Sequence, residues 1–82
     1  MNAEKIINIE KVRAIIAEVL EVEIDEVKAE TDLVEELDAD SMMALEIMAT
    51  IEKEFRVKIP ENEIQNFTTL DAIIKIVEKE MR

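Results

Sequence analysis

Not one glycine occurs in the 82 residues, and proline occurs once, at Pro60. An all-β chain needs many tight turns, and those two residues make most of them. Their scarcity favours helices, so the expected fold class is all-α. A chain of 82 residues suits one domain, residues 1–82, with a single modest core. Phe55 and Phe67 are the two aromatics, so that core is aliphatic, with some of the five methionines filling irregular gaps.

Apolar periodicity places the elements. Ile9, Val12, Ile15, Ile16, Val19 and Leu20 fall at helical spacing and predict a helix over Ala3–Leu20. From Glu21 to Asp40 the period breaks. Val22, Ile24, Val27, Leu33, Val34 and Leu37 still recur there, which predicts a long first loop pinned across the core, with Thr31 or Asp32 capping a short turn. Leu45, Met48, Ile51 and Phe55, widened by Ile47, predict a helix from Ser41 to Phe55 with Asp40 as its N-cap. Pro60 stops that pattern and suits the start of a short helix over Glu61–Asn66, with Ile64 and Phe67 inward. Thr68-Thr69-Leu70-Asp71 reads as a capping box opening a last helix, with Leu70, Ile73, Ile74, Val77 and Met81 as its stripe. The expected architecture is a four-helix bundle of three longer helices and one short one.

The formal net charge is −11. Nucleic acid and anionic membranes call for a basic face, so both are disfavoured as partners. A protein with a basic patch, steered in by charge, suits this surface. Cysteine is absent, which gives secretion no support. No apolar run approaches the ~18 residues of a spanning helix. The start of the sequence has no signal-peptide hydrophobic region. The expectation is a cytoplasmic, monomeric protein without membrane insertion.

Between Ala29 and Glu52 lie eight acids and no base: Glu30, Asp32, Glu35, Glu36, Asp38, Asp40, Glu46 and Glu52. The bland reading is a solvated face. The run surrounds Ser41, however, which favours a partner-facing surface. A calcium loop fails as an explanation. Counted from Asp38, its sixth and twelfth positions hold Met43 and Ala49, and counted from Asp40 they hold Leu45 and Ile51. No metal ligand set is predicted, although loose divalent binding to clustered carboxylates would relieve self-repulsion.

Ser41 is predicted at the first position of a helix, where unpaired N–H groups and the positive end of the helix dipole favour a phosphate ester. Histidine is absent, so nothing activates this hydroxyl as a nucleophile. Ser41 therefore reads as an acceptor modified by another enzyme, and the chain as no enzyme itself. On its own, Asp-Ser ahead of a helix is unspecific and usually means simple capping.

The ordered set is more specific. Glu35-Glu36-Leu37-Asp38-Ala39-Asp40-Ser41-Met42, followed by Glu46, Ile47, Glu52, Phe55 and Ile59-Pro60, resembles the acyl carrier protein family. That family's usual pattern reads Leu-Gly-Ala-Asp-Ser-Leu, then an acidic amphipathic helix, then Phe and an Ile-Pro pair. The similarity runs from about Val12 to Val77. It implies an acyl carrier domain whose Ser41 bears a covalent 4′-phosphopantetheine arm, transferred from coenzyme A by a phosphopantetheinyl transferase. The arm's thiol holds acyl intermediates of fatty acid, lipid or polyketide synthesis as thioesters. Asp40 then helps present the serine. Asp38, Met42, Met43, Glu46 and Glu52 form the face that docks on basic patches of acyl-transferring and synthase enzymes. Leu45, Ile51, Ile59, Phe67 and Ile73 line an acyl pocket, against the simpler reading of those five as ordinary core.

The chain departs from the family pattern in several places. Asp38 stands where the family has glycine, and tolerates a left-handed backbone less well than glycine. Met42 replaces leucine, and Met43 replaces a polar residue. Glu21 stands where a glycine often ends the first helix, and Ile73 where a small residue is common. These differences suggest a specialised carrier. Two alternatives stay open: a carrier of an aminoacyl or D-alanyl thioester, and an unmodified acidic interaction module, which would tolerate Ser41→Ala.

Overall fold

The computed structural model describes residues 8–81. Among them are three long helices, α1 (Ile9–Leu20), α3 (Ser41–Phe55) and α4 (Leu70–Glu80), and a five-residue helix, α2 (Leu33–Leu37). Two 3-10 segments, Ile24–Glu26 and Glu61–Asn66, complete the order, and no strand occurs among the described residues. The all-α class and the three long helices expected from the sequence are present. The short helix expected over 61–66 is a 3-10 segment, and the short α-helix lies instead inside the long first connection. Of the helix expected over Ala3–Leu20, the part before Asn8 lies outside the described residues. Asn8 is the N-cap of α1, its Oδ1 accepting the Lys11 N–H at 3.1 Å.

The core is aliphatic apart from the buried Phe67 and Met48. Val12, Ile16, Ile51, Ile73 and Val77 are fully buried, with Val27 and Leu33 entering from the first connection. Among the described residues no polar or charged residue is buried as a whole; the one covered side-chain polar atom without a partner is Arg13 Nε. Ile9, expected on the α1 stripe, is half-exposed at the helix's first position, and Ala17 is buried instead. Ile76 joins the α4 stripe between Ile73 and Val77.

The connection from 21 to 40 takes its shape from caps. Asp32 Oδ1 accepts the Val34 and Glu35 N–H groups, both at 3.0 Å. The Asp32 N–H donates to Glu36 Oε2 at 3.1 Å, so both ends of the first turn of α2 are satisfied. Two long-range backbone bonds then clamp this connection to the start of α4. The Leu33 N–H donates to the Thr68 carbonyl at 2.8 Å, and the Asp71 N–H to the Ala29 carbonyl at 3.0 Å. The expected Thr68–Asp71 capping box does not form. Thr69 is the N-cap, its Oγ1 accepting the Ala72 N–H at 3.0 Å. The third helical position is then Ala72, which has no side-chain acceptor to return the bond.

With no glycine in the chain, three charged residues take the left-handed turns that end helices: Glu21 (φ 58°) after α1, Asp38 (φ 59°) after α2 and Arg56 (φ 57°) after α3. Asp38 thus adopts the conformation for which a glycine would be the default residue.

Candidate functional site

Asp38 turns the chain out of α2, and Asp40, extended at φ −122°, caps α3. The Met43 N–H donates to Asp40 Oδ1 at 2.9 Å, and the Ala44 N–H to the Asp40 carbonyl at 2.9 Å. The Asp40 side chain is therefore held by the helix it starts. Ser41 follows at the first helical position and is exposed. The Ser41 and Met42 N–H groups precede the first intrahelical bond and have no partner among the described residues. Two free donors and the positive helix end beside an exposed hydroxyl suit a phosphate ester there.

A cavity of about 380 Å³ opens beside this serine. Val34, Ala39, Ala44, Ile64 and Phe67 supply its apolar walls, and Asp40, Ser41, Gln65 and Thr68 complete it. The small side chains of Ala39 and Ala44 leave the space next to Ser41. A larger groove, about 630 Å³, runs along α3 from Leu45 to Glu52 and is closed by Lys58, Ile59, Pro60, Glu61 and Glu80. It does not include Ser41 and carries four charged side chains, so the smaller cavity is the one that bears on chemistry at the serine.

The structure distributes the five expected pocket residues over different places. Ile51 and Ile73 are fully buried core. Phe67, also buried, lines the cavity at Ser41. Ile59 and Leu45 line the larger groove, and Leu45 is 41% exposed. The expected docking set is likewise divided. Met42 is 74% exposed and Glu46 is exposed beside it, whereas Met43 turns inward and packs against the core. Glu52 is half-buried, and its Oε2 accepts the Ile59 N–H at 2.8 Å. It therefore pins the turn after α3 as well as bordering the groove. The outward face of α3 is Met42, Leu45, Glu46, Ala49 and Lys53.

Val34, Ala39, Ala44, Gln65 and Thr68 were not singled out in the sequence as site residues. Small residues at 39 and 44 were the available signal, because a void needs short side chains more than apolar ones. Among the described residues, no group of three or more carboxylates converges where it could hold a metal ion. No helix among them is long and apolar enough to cross a membrane.

The Glu61–Asn66 segment forms one wall of the cavity. Its Glu63 carboxylate accepts a hydrogen bond from Lys79 Nζ of α4 at 2.8 Å and one from the Asn66 side-chain amide at 2.9 Å. Those bonds, Lys79's first, hold the Glu63 carboxyl below its ordinary range. The same bond to Glu63 raises Lys79.

Residues 10–77 match the protein family described as "Phosphopantetheine attachment site". The chain is 38% identical over 68 residues to polyketide-8 synthase acyl carrier protein 2 of Streptomyces avermitilis, across 83% of this chain and 78% of that protein.

Proposed function

Because the chain belongs to the phosphopantetheine-attachment family of acyl carrier proteins, whose prosthetic group is covalent 4′-phosphopantetheine, we propose that Ser41 is its attachment residue. The observation that carries this is the exposed Ser41 hydroxyl at the start of α3, with two free N–H donors and an apolar cavity beside it. When bound, the group supplies a thiol that holds acyl cargo as a thioester. The Ser41 oxygen takes the phosphate ester, and the Ser41 and Met42 N–H groups offset its charge. Asp40 acts by position: capping α3 keeps the serine at the helix's first residue. Val34, Ala44, Ile64 and Phe67 give the space next to the attachment point apolar walls.

The cargo we propose is an acyl group of the polyketide or fatty-acid kind, in keeping with the named relative. Partner enzymes with basic patches dock on the outward face of α3, where Met42 and Leu45 offer apolar contact and Glu46 the charge. The deciding experiment is intact mass after incubation with coenzyme A, magnesium and a broad-specificity phosphopantetheinyl transferase. A gain of one phosphopantetheine, lost in Ser41→Ala, is expected. A gain that persists in Ser41→Ala would place the attachment elsewhere.

A further inference from the structure

The wall of the cavity beside Ser41 is a strap with fixed ends. At one end the Ile59 N–H is held by the Glu52 carboxylate at 2.8 Å. At the other the Thr68 carbonyl is held by the Leu33 N–H at 2.8 Å. Between them the backbone bonds are local, Glu63 N–H to the Pro60 carbonyl and Phe67 N–H to the Ile64 carbonyl. Among the described residues, the polar tie from the middle of the strap to the rest of the fold is the Glu63–Lys79 ion pair at 2.8 Å. Ile64, next to Glu63, and Gln65 face the cavity.

A 3-10 segment has poorer hydrogen-bond geometry than an α-helix and yields more readily. A solvent-accessible ion pair contributes little to the stability of a whole fold. This one therefore acts locally, on the position of the strap. Lys79 stays well exposed while Glu63 is more covered, so the pair can part by withdrawal of the lysine without uncovering the core.

We propose that the Glu63–Lys79 pair is the latch that sets how far the cavity beside Ser41 opens, and so what length of apolar cargo it admits. The cargo half of this rests on Ser41 bearing the acyl-carrying group; the latch itself does not. With the pair closed, Ile64 and Gln65 stay against the mouth and the cavity suits a short acyl group. With it open, the strap swings about Ile59 and Thr68 and lengthens the apolar space along Phe67.

Hydrogen exchange read by mass spectrometry tests this in two arms. In the unmodified chain, Lys79→Met and Glu63→Gln should each raise exchange over residues 61–67 by about two- to five-fold, the range expected for a weak exposed pair. Helices α3 and α4 should be unchanged, and the swap Glu63→Lys with Lys79→Glu should restore protection. An unchanged strap, or a rise shared equally by α3 and α4, overturns the latch. In the loaded chain, a decanoyl cargo should raise exchange over 61–67 above that with an acetyl cargo in the wild type, and by less in Lys79→Met. Equal effects of the two cargoes overturn the cargo half. Failure to load at all, read by intact mass, would count against attachment at Ser41 and leave the first arm standing.

Discussion

Arg56 is the clearest place to test whether a chain without glycine carries strain at its helix ends. It sits at φ 57°, ψ 48°, exposed, and makes no ion pair among the described residues. Its backbone N–H bonds the Glu52 carbonyl, as does that of Val57 at 3.2 Å. Arg56→Gly therefore keeps those bonds and removes no side-chain partner. For an L-residue the left-handed conformation costs about 1–2 kcal/mol. Glycine's greater freedom in the unfolded chain takes back about 0.5–1 kcal/mol. A net stabilisation of about 0.5–1 kcal/mol follows, or a rise in Tm of about 2–8 °C for a domain of this size. Thermal unfolding by far-UV circular dichroism, in enough salt to screen the lost positive charge, measures it. Arg56→Ala is the control: it removes the same side chain but keeps the Cβ that causes the strain. If Arg56→Gly is no more stable than Arg56→Ala, the strain assigned to this turn is absent.

Asp40→Ala should destabilise the fold by about 1 kcal/mol through loss of the bond to the Met43 N–H. Asp40→Asn should retain most of that stability, and urea unfolding of the two variants distinguishes capping from charge. The latch also has a pH signature. Glu63 is lowered from 4.5, so its contribution is present above that value and fades as pH falls through the lowered folded value. Lys79 is raised from 10.5, so its contribution is present below that value and fades as pH rises through the raised one. The extra protection of 61–67 in the wild type over Lys79→Met should accordingly persist between those limits and vanish in acid. Persistence after Glu63 is fully protonated would mean that something else holds the strap.

The long helices were legible because their apolar residues repeat at a helical period and their caps are explicit: Asp40 before α3, and a threonine before α4. The position of Ser41 at a helix start followed from the same signals. What the sequence did not resolve was which way α3 faces. Met42, Met43, Ala44, Leu45, Ile47 and Met48 are apolar nearly all round, so periodicity alone could not show that Met43 turns in and Leu45 out. Helix α2 was hidden by its length, since five residues make too short a period to detect. Its Asp32 cap was the visible trace. Of the three left-handed turns, Glu21 and Asp38 stand where the family pattern has glycine, whereas nothing in arginine at position 56 signals that conformation. The cavity leaves no periodic signal in the sequence, because it is made by what Ala39 and Ala44 lack.

The two backbone bonds that join Leu33 to Thr68 and Ala29 to Asp71 also make the shape of one segment conditional on the docking of the other. They tie the connection leading to the serine to the entrance of the last helix, far along the chain. Neither segment can hold these bonds alone, because each supplies one half of both pairs. The approach to Ser41 thus acquires its final shape only once α4 has docked. An enzyme that needs the serine presented in that shape inspects, in effect, the completion of the whole fold, and a half-folded chain offers it a hydroxyl without its setting.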